Sequence, residues 1–294
     1  MVQHRKTKTR VPKPRWLKRS LPTGADYEKV RTMLKEGRLH TVCQEARCPN
    51  LWECFSRHTA TFLIMGSRCT RNCRFCAVAH GPSEPPDPGE PERVAEAVHI
   101  MKLDYVVVTS VTRDDLPDGG ALFFAETIKE IRKKVPGVLV EVLTPDFQGD
   151  EDALRTVLEV RPNVLNHNIE TVSRLYPSVR PDAVYRRSLE LLERARKYNS
   201  AVLTKSGLML GLGESSEEIR NALQDLLNVN CRILTLGQYL QPTKENLPVK
   251  RFIHPDEFDN WRETALKMGF SEVASGPFVR SSYHAKELYE AVSF

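Results

Sequence analysis

The chain has 294 residues, 43 Lys or Arg against 38 Asp or Glu, a formal net charge of +5 at pH 7, and is 40% hydrophobic and 28% charged. That length fits one large domain or one domain with extensions, and the composition is that of a soluble globular protein. No apolar run approaches the ~20 residues that span a bilayer, and none follows the basic N-terminus as a secretory signal would.

The seven cysteines are therefore read as reduced, metal-binding or buried, and the expected location is cytoplasmic. Charge is unevenly placed. Residues 1–25 hold eight Lys or Arg and no acid, so the rest of the chain is slightly acidic. A basic arm over residues 1–24 suggests contact with a polyanion or an acidic protein, set against the plain reading of a solvated tail. Pro12, Pro14 and Pro22 oppose a continuous amphipathic helix, which weighs against an organellar address without forbidding it.

Residues 25–40 read as a helix, with Tyr27, Val30 and Leu34 at helical spacing and Gly37 as its stop. Cys43, Cys48 and Cys54 come next, at gaps that fit neither a zinc-finger pair nor a Cys-x-x-Cys redox motif. The apolar run Thr61 to Met65 reads as a buried strand ending at Gly66. Directly after it stands Cys69-Thr70-Arg71-Asn72-Cys73-Arg74-Phe75-Cys76. These three thiols have no fourth Cys or His beside them. A closed structural zinc site normally has four protein ligands, whereas iron–sulfur clusters are held chiefly by Cys thiolates. The first reading is a 4Fe–4S cluster with one iron open.

From residue 59 onward, apolar runs alternate with amphipathic helices. Strands are expected at 105–109, 138–143, 164–168, 202–204 with 208–210, and 232–236. The intervening helices fall near 91–102, 120–134, 151–160, 184–197 and 216–228, with a last one near 256–268. Counting the strand at 60–65, this pattern argues for a parallel sheet covered by helices. Polar residues gather where the runs end: Thr109 and Ser110, Thr144 and Asp146, Asn166 to Asn168 with Glu170, Lys205 and Ser206, Gln238 and Tyr239. In a parallel α/β barrel those ends carry the active site. Gly211-Leu212-Gly213-Glu214 lacks the remaining residues of a phosphate-binding loop and reads as a turn. Cys231 reads as core.

The Cys-x3-Cys-x2-Cys spacing with Phe75 before the last Cys resembles the radical S-adenosylmethionine (SAM) superfamily. Cys43, Cys48 and Cys54, together with Arg280-Ser281-Ser282-Tyr283, narrow the resemblance to the lipoyl synthase family within it. Arg113-Asp114-Asp115, Asn166-His167-Asn168, Lys205 to Met209 and Gly237 to Pro242 are also similar to that family. The resemblance runs from about residue 38 to about residue 285.

The resemblance implies an α/β fold, a partial (βα)6 TIM-type barrel over residues 59–270. A cysteine-bearing extension would occupy residues 25–58, and a C-terminal segment, 271–294, would close over it. Two 4Fe–4S clusters are implied. Cys69, Cys73 and Cys76 would hold the one that binds and cleaves SAM. Cys43, Cys48, Cys54 and Ser282, with Ser281 as alternative, would hold an auxiliary cluster that donates sulfur. SAM contacts are expected from Phe75, Thr109, Ser110, Asn168 and Glu170, with Lys205 and Arg280 toward its carboxylate or the substrate. The implied reaction inserts two sulfur atoms at carbons 6 and 8 of a protein-bound octanoyl-lysine. Implied partners are an octanoylated carrier with an acidic surface, a low-potential electron donor and an iron–sulfur delivery protein, but neither nucleic acid nor membrane. Another sulfur-inserting member of the superfamily, of biotin synthase or methylthiotransferase type, is the alternative.

Overall fold

A computed structural model describes residues 12–18, 25–57 and 59–293. Most of the basic arm, residues 1–11 and 19–24, lies outside the described residues. The sheet strands are β1 (His40–Thr41), β2 (Thr61–Ile64), β3 (Tyr105–Ser110), β4 (Leu139–Leu143), β5 (Val164–Asn166), β6 (Leu203–Leu210), β7 (Ile233–Gln238) and β8 (Glu272–Gly276). They lie in that order across one sheet. β1 pairs antiparallel with β2, and each later pair is parallel. The order is linear, so the barrel is partial and has an open seam between β1 and β8.

Helices supply the outer layer: α1 (Ala25–Glu36), α2 (Val42–Glu45), α3 (Leu51–Ser56), α4 (Glu90–Ile100), α5 (Ala121–Lys134), α6 (Glu151–Glu159), α7 (Tyr176–Val179), α8 (Tyr185–Tyr198), α9 (Ser216–Asn228), α10 (Pro255–Met268) and α11 (Ala285–Ser293). Their ends follow from local chemistry. The Asp150 carboxylate accepts from the Asp152 and Ala153 amides to start α6. Ser215 and Glu218 form a reciprocal capping box on α9. α10 begins at Pro255 and stops at Gly269, whose φ of 119° is left-handed. Because helices cover the sheet, every residue of β2 and of β7 is buried, which is why those strands read as unbroken apolar runs.

Three features depart from the sequence reading. The two short runs at 202–204 and 208–210 are one strand, β6, because Lys205 and Ser206 between them are buried inside the barrel. β8 went unread because only Val273 of its five residues is buried, leaving no apolar run. The segment after residue 270 thus begins by adding a parallel strand to β7. α1 also ends before Gly37, with Arg38 taking the left-handed turn at φ 50°.

Candidate two-centre active site

The loop Cys69 to Cys76 leaves β2 through Met65 and Gly66, both left-handed. Its polar groups are held by segments beyond the ends of several other strands. The Thr70 amide and hydroxyl both donate to the Thr112 carbonyl at 3.0 Å, and the Asp114 amide donates back to the Thr70 hydroxyl at 3.1 Å. The Arg74 amide donates to the Val179 carbonyl at 2.9 Å. From beyond β7, the Asn246 side-chain amide donates to the Cys76 carbonyl at 2.7 Å. The Thr112 amide approaches Cys69 Sγ at 3.3 Å, the kind of N–H···S contact that tunes a sulfur-ligated centre.

Burial pushes the Cys76 thiol up to about 12, and the charges of Cys73, Cys69 and Glu170 add to it. Burial likewise raises Cys73, against the lowering charge of Arg180. Thiolates that repel one another in a desolvated loop ionise together only around a cationic centre, and metal binding deprotonates such ligands outright. Three thiolates on one loop are a donor set that an iron–sulfur cluster would take. Among the described residues, no three His, Cys, Asp or Glu side chains converge tightly enough to hold a single ion.

The second thiol set lies beside the open seam. Cys43 is on α2, Cys48 in the turn after it and Cys54 on α3. Burial, then the charges of Cys48 and Cys54, push the Cys43 thiol up to about 12. The strap that follows β8 is tied to this hairpin across the seam. The Asn50 side-chain amide donates to the Phe278 carbonyl at 2.7 Å, and the Tyr283 hydroxyl donates to Glu53 Oε1 at 3.0 Å. The strap also packs on β7 at Gly237, where a Cβ would collide with the Val279 carbonyl oxygen. These contacts bring Ser281 and Ser282 to the cavity that Cys43, Cys48 and Cys54 line.

That cavity has a volume of about 380 Å³ and reaches from the second thiol set to Phe75 and Cys76 of the first loop. Asn168, Glu170 and Arg280 also line it. Asn168 Nδ2 donates to Glu170 Oε1 at 3.1 Å, while Asn168 Oδ1 is buried without a partner. Glu170 has a left-handed φ of 64° and is held there by backbone bonds with Gly207 and Met209 at 2.9 and 2.8 Å. Burial raises its carboxyl pKa, opposed by Arg180, Asn168 and Arg280. Buried polar atoms without partners are rare. Here Ser110 Oγ, Thr144 Oγ1 and Asn168 Oδ1 lie at or just beyond strand ends, and Arg180 Nε follows α7. This is the pattern expected where a polar ligand supplies the missing partners.

Other expected contacts fall differently. The Thr109 hydroxyl is committed to the Leu143 carbonyl at 2.8 Å. Lys205 is already paired. Its ammonium lies inside the barrel, 3.0 and 3.1 Å from the two oxygens of Glu141, and is 1% exposed. Glu141 also accepts from Tyr105 and Asn166. A buried lysine needs a partner, and Lys205 has one in Glu141. Sequence reasoning missed Arg180, which faces Cys73 and Glu170 while donating to the Asn168 carbonyl at 2.9 Å. A strand-end pattern does not reach it, because it follows the short helix α7.

In the described part of the arm, Leu17 is buried and Trp16 packs edge-on against His254 with ring centroids 4.9 Å apart. Lys13 and Arg47 stand on the cavity lining. No helix among the described residues is long and apolar enough to cross a membrane.

The sequence model of the radical SAM superfamily matches residues 63–226, and that of the N-terminal domain of lipoyl synthase matches residues 1–48. The chain is 61% identical to a lipoyl synthase of Desulfotalea psychrophila over 280 residues, covering 95% of this chain and 94% of the relative. It is 54% identical to a lipoyl synthase of Rubrobacter xylanophilus over 286 residues, covering 97% and 89%. Among solved structures it is similar to HydG, a maturase of the [FeFe]-hydrogenase, with a TM-score of 0.56 and 14% identity, covering 92% of this chain and 79% of the other. That likeness bears on the fold alone.

Proposed function

Because this chain belongs to the lipoyl synthase family of the radical SAM superfamily, we propose that it inserts sulfur at carbons 6 and 8 of an octanoyl chain amide-linked to a carrier lysine. One observation carries the reading: a single cavity is lined by all three thiols of the second set and by Cys76 of the first loop, with Ser281 and Ser282 brought in from the far end of the chain. When bound, the clusters and SAM supply an electron, a carbon radical that abstracts hydrogen, and the sulfur.

The residues divide the work. Cys69, Cys73 and Cys76 would hold the first centre and would leave a coordination position for SAM. Phe75, Ser110, Asn168, Glu170 and Arg280 bind SAM from the rim, Thr109 helps to shape that rim, and Arg180 takes the carboxylate role first expected of Lys205. The unpartnered oxygen of Asn168 and Nε of Arg180 support this assignment, since a zwitterionic ligand offers a donor to one and an acceptor to the other. Cys43, Cys48, Cys54 and Ser282 hold the second centre, with Ser281 beside it. A serine oxygen is a harder ligand than thiolate and would hold iron in a sulfur-rich centre less well, which would make Ser282 the weakest of the four ligands. Val42, Leu208, Met209 and Leu240 offer apolar wall to the octanoyl chain and exclude water from it.

Lys13 and Arg47 at the cavity, with the basic arm, suit an acidic carrier surface. A low-potential electron donor and an iron–sulfur delivery protein complete the set of partners, because the sulfur-donating centre is consumed and must be rebuilt. The test is mass analysis after anaerobic turnover with SAM, using octanoylated carrier and desthiobiotin in parallel. Addition of two sulfurs to the octanoyl group is expected, and product from desthiobiotin alone would refute the assignment.

A further inference from the structure

The sequence reading singled out Asp146 at a strand end and Asp114 within the Arg113-Asp114-Asp115 stretch, and neither enters the roles above. Both turn toward the cysteine loop. Arg71, in the spacer between Cys69 and Cys73, is only 6% exposed. Its guanidinium forks onto Asp114, with Nε–Oδ2 at 2.6 Å and Nη2–Oδ1 at 2.9 Å, and the same Nη2 meets Asp146 Oδ1 at 2.6 Å. Asp146 is 1% exposed and has Arg187 at 3.5 Å on its other oxygen. Two cations thus face two carboxylates, and the group balances to zero. Burial works to raise Asp146, yet the bond to Arg71 holds it down at about 2. Asp146 therefore stays ionised at neutral pH.

We infer that Arg71, clamped by Asp114 and Asp146, is a positioning residue that fixes the cysteine loop on the barrel rim and sets the reduction potential of the centre held by Cys69, Cys73 and Cys76. The inference rests on that centre being an iron–sulfur cluster. Taking up an electron adds one negative charge to the loop. Cluster potentials respond to nearby net charge, to hydrogen bonds at sulfur and to solvent exposure. Charges in a desolvated rim act on one another with little screening. An unpaired Asp146 beside the loop would oppose the incoming electron, whereas an unpaired Arg71 would assist it. The clamp also fixes geometry, because the segment that holds Arg71 through Asp114 holds Thr70 and approaches Cys69 Sγ through Thr112.

The experiment is a redox titration, followed by electron paramagnetic resonance, of the anaerobically reconstituted full chain and its variants, with the auxiliary cluster as internal reference. Arg71→Met should move the first cluster's midpoint to a more negative potential, and Asp114→Asn should move it to a more positive one. Combining Arg71→Met with Asp146→Asn should restore part of the loss. Arg71→Lys keeps the charge but not the fork, so it should hold the midpoint near the wild-type value while weakening SAM binding. A purely structural role would not give opposite signs for the base and the acid. Unchanged midpoints, or shifts of the same sign, would overturn the inference. If Arg71→Met fails to take up the cluster, Asp114→Asn alone decides by the presence or absence of its positive shift. A wild-type chain that assembles no cluster on Cys69, Cys73 and Cys76 would instead refute the functional reading beneath it.

Discussion

Asn50 and Phe278 lie 228 residues apart, and the side-chain amide of the first donates to the carbonyl of the second at 2.7 Å. That bond spans the open seam of the barrel. It joins the hairpin that carries Cys43, Cys48 and Cys54 to the strap that carries Ser282.

Asn50→Ala leaves the Phe278 carbonyl without this partner, and losing a part-buried hydrogen bond costs about 1 kcal/mol. The strap should loosen and the second cluster should be lost. Iron and acid-labile sulfide counts should fall from the ~8 irons per chain expected of two 4Fe–4S clusters toward half. Retention of the full count would mean that other contacts bring Ser282 into place.

Cys54→Ala removes a proposed ligand of the second centre and touches none proposed for the first. SAM cleavage should continue at nearly the wild-type rate while sulfur insertion disappears, read by following 5′-deoxyadenosine and lipoyl product together. Lipoyl product from a Cys54→Ala chain that holds one cluster would contradict the sulfur-donor role.

Lys205→Met strands the buried Glu141 carboxylate. Breaking one partner of a buried pair costs about 3–5 kcal/mol, so the denaturation midpoint should fall steeply. Lys205→Met with Glu141→Gln should recover much of that loss. A single variant of normal stability and reduced SAM affinity would return Lys205 to the ligand role.

His167 is a pH reporter. Burial, with the charge of Arg180 behind it, lowers its pKa from 6.5 to about 4. The ring stays neutral between the Thr144 carbonyl at 2.8 Å and Ser188 Oγ at 2.9 Å. Between these two pKa values the unfolded chain binds the proton and the folded one does not, so stability drops as pH falls from about 6.5 to about 4. The loss should total on the order of 3 kcal/mol. His167→Gln should flatten that part of the stability–pH curve, and an unaltered slope would place the effect elsewhere.

Much of the fold is legible in the sequence because covered parallel strands must be apolar and their helices amphipathic. α5 and α9 fall within a residue or so of their expected limits for that reason. β8 escapes the same logic, since a strand beside the seam buries only Val273. In the site, the spacing of six cysteines is chemical information written directly in the chain. The clamp on Arg71 and the pairing of Lys205 with Glu141 are not, because both depend on which side of a strand end a long side chain turns toward. Lys205 and Asn168 look alike as polar residues near strand ends, yet one is saturated inside the barrel and the other keeps an unpartnered oxygen.

The most direct test of the central claim follows the sulfur. The chain is reconstituted anaerobically with 34S-labelled sulfide, freed of unbound sulfide, and turned over once with SAM, reductant and octanoylated carrier. The account predicts lipoyl product carrying two 34S atoms, with loss of label from the centre at Cys43, Cys48, Cys54 and Ser282. Lipoyl product containing only unlabelled sulfur from the medium would contradict it.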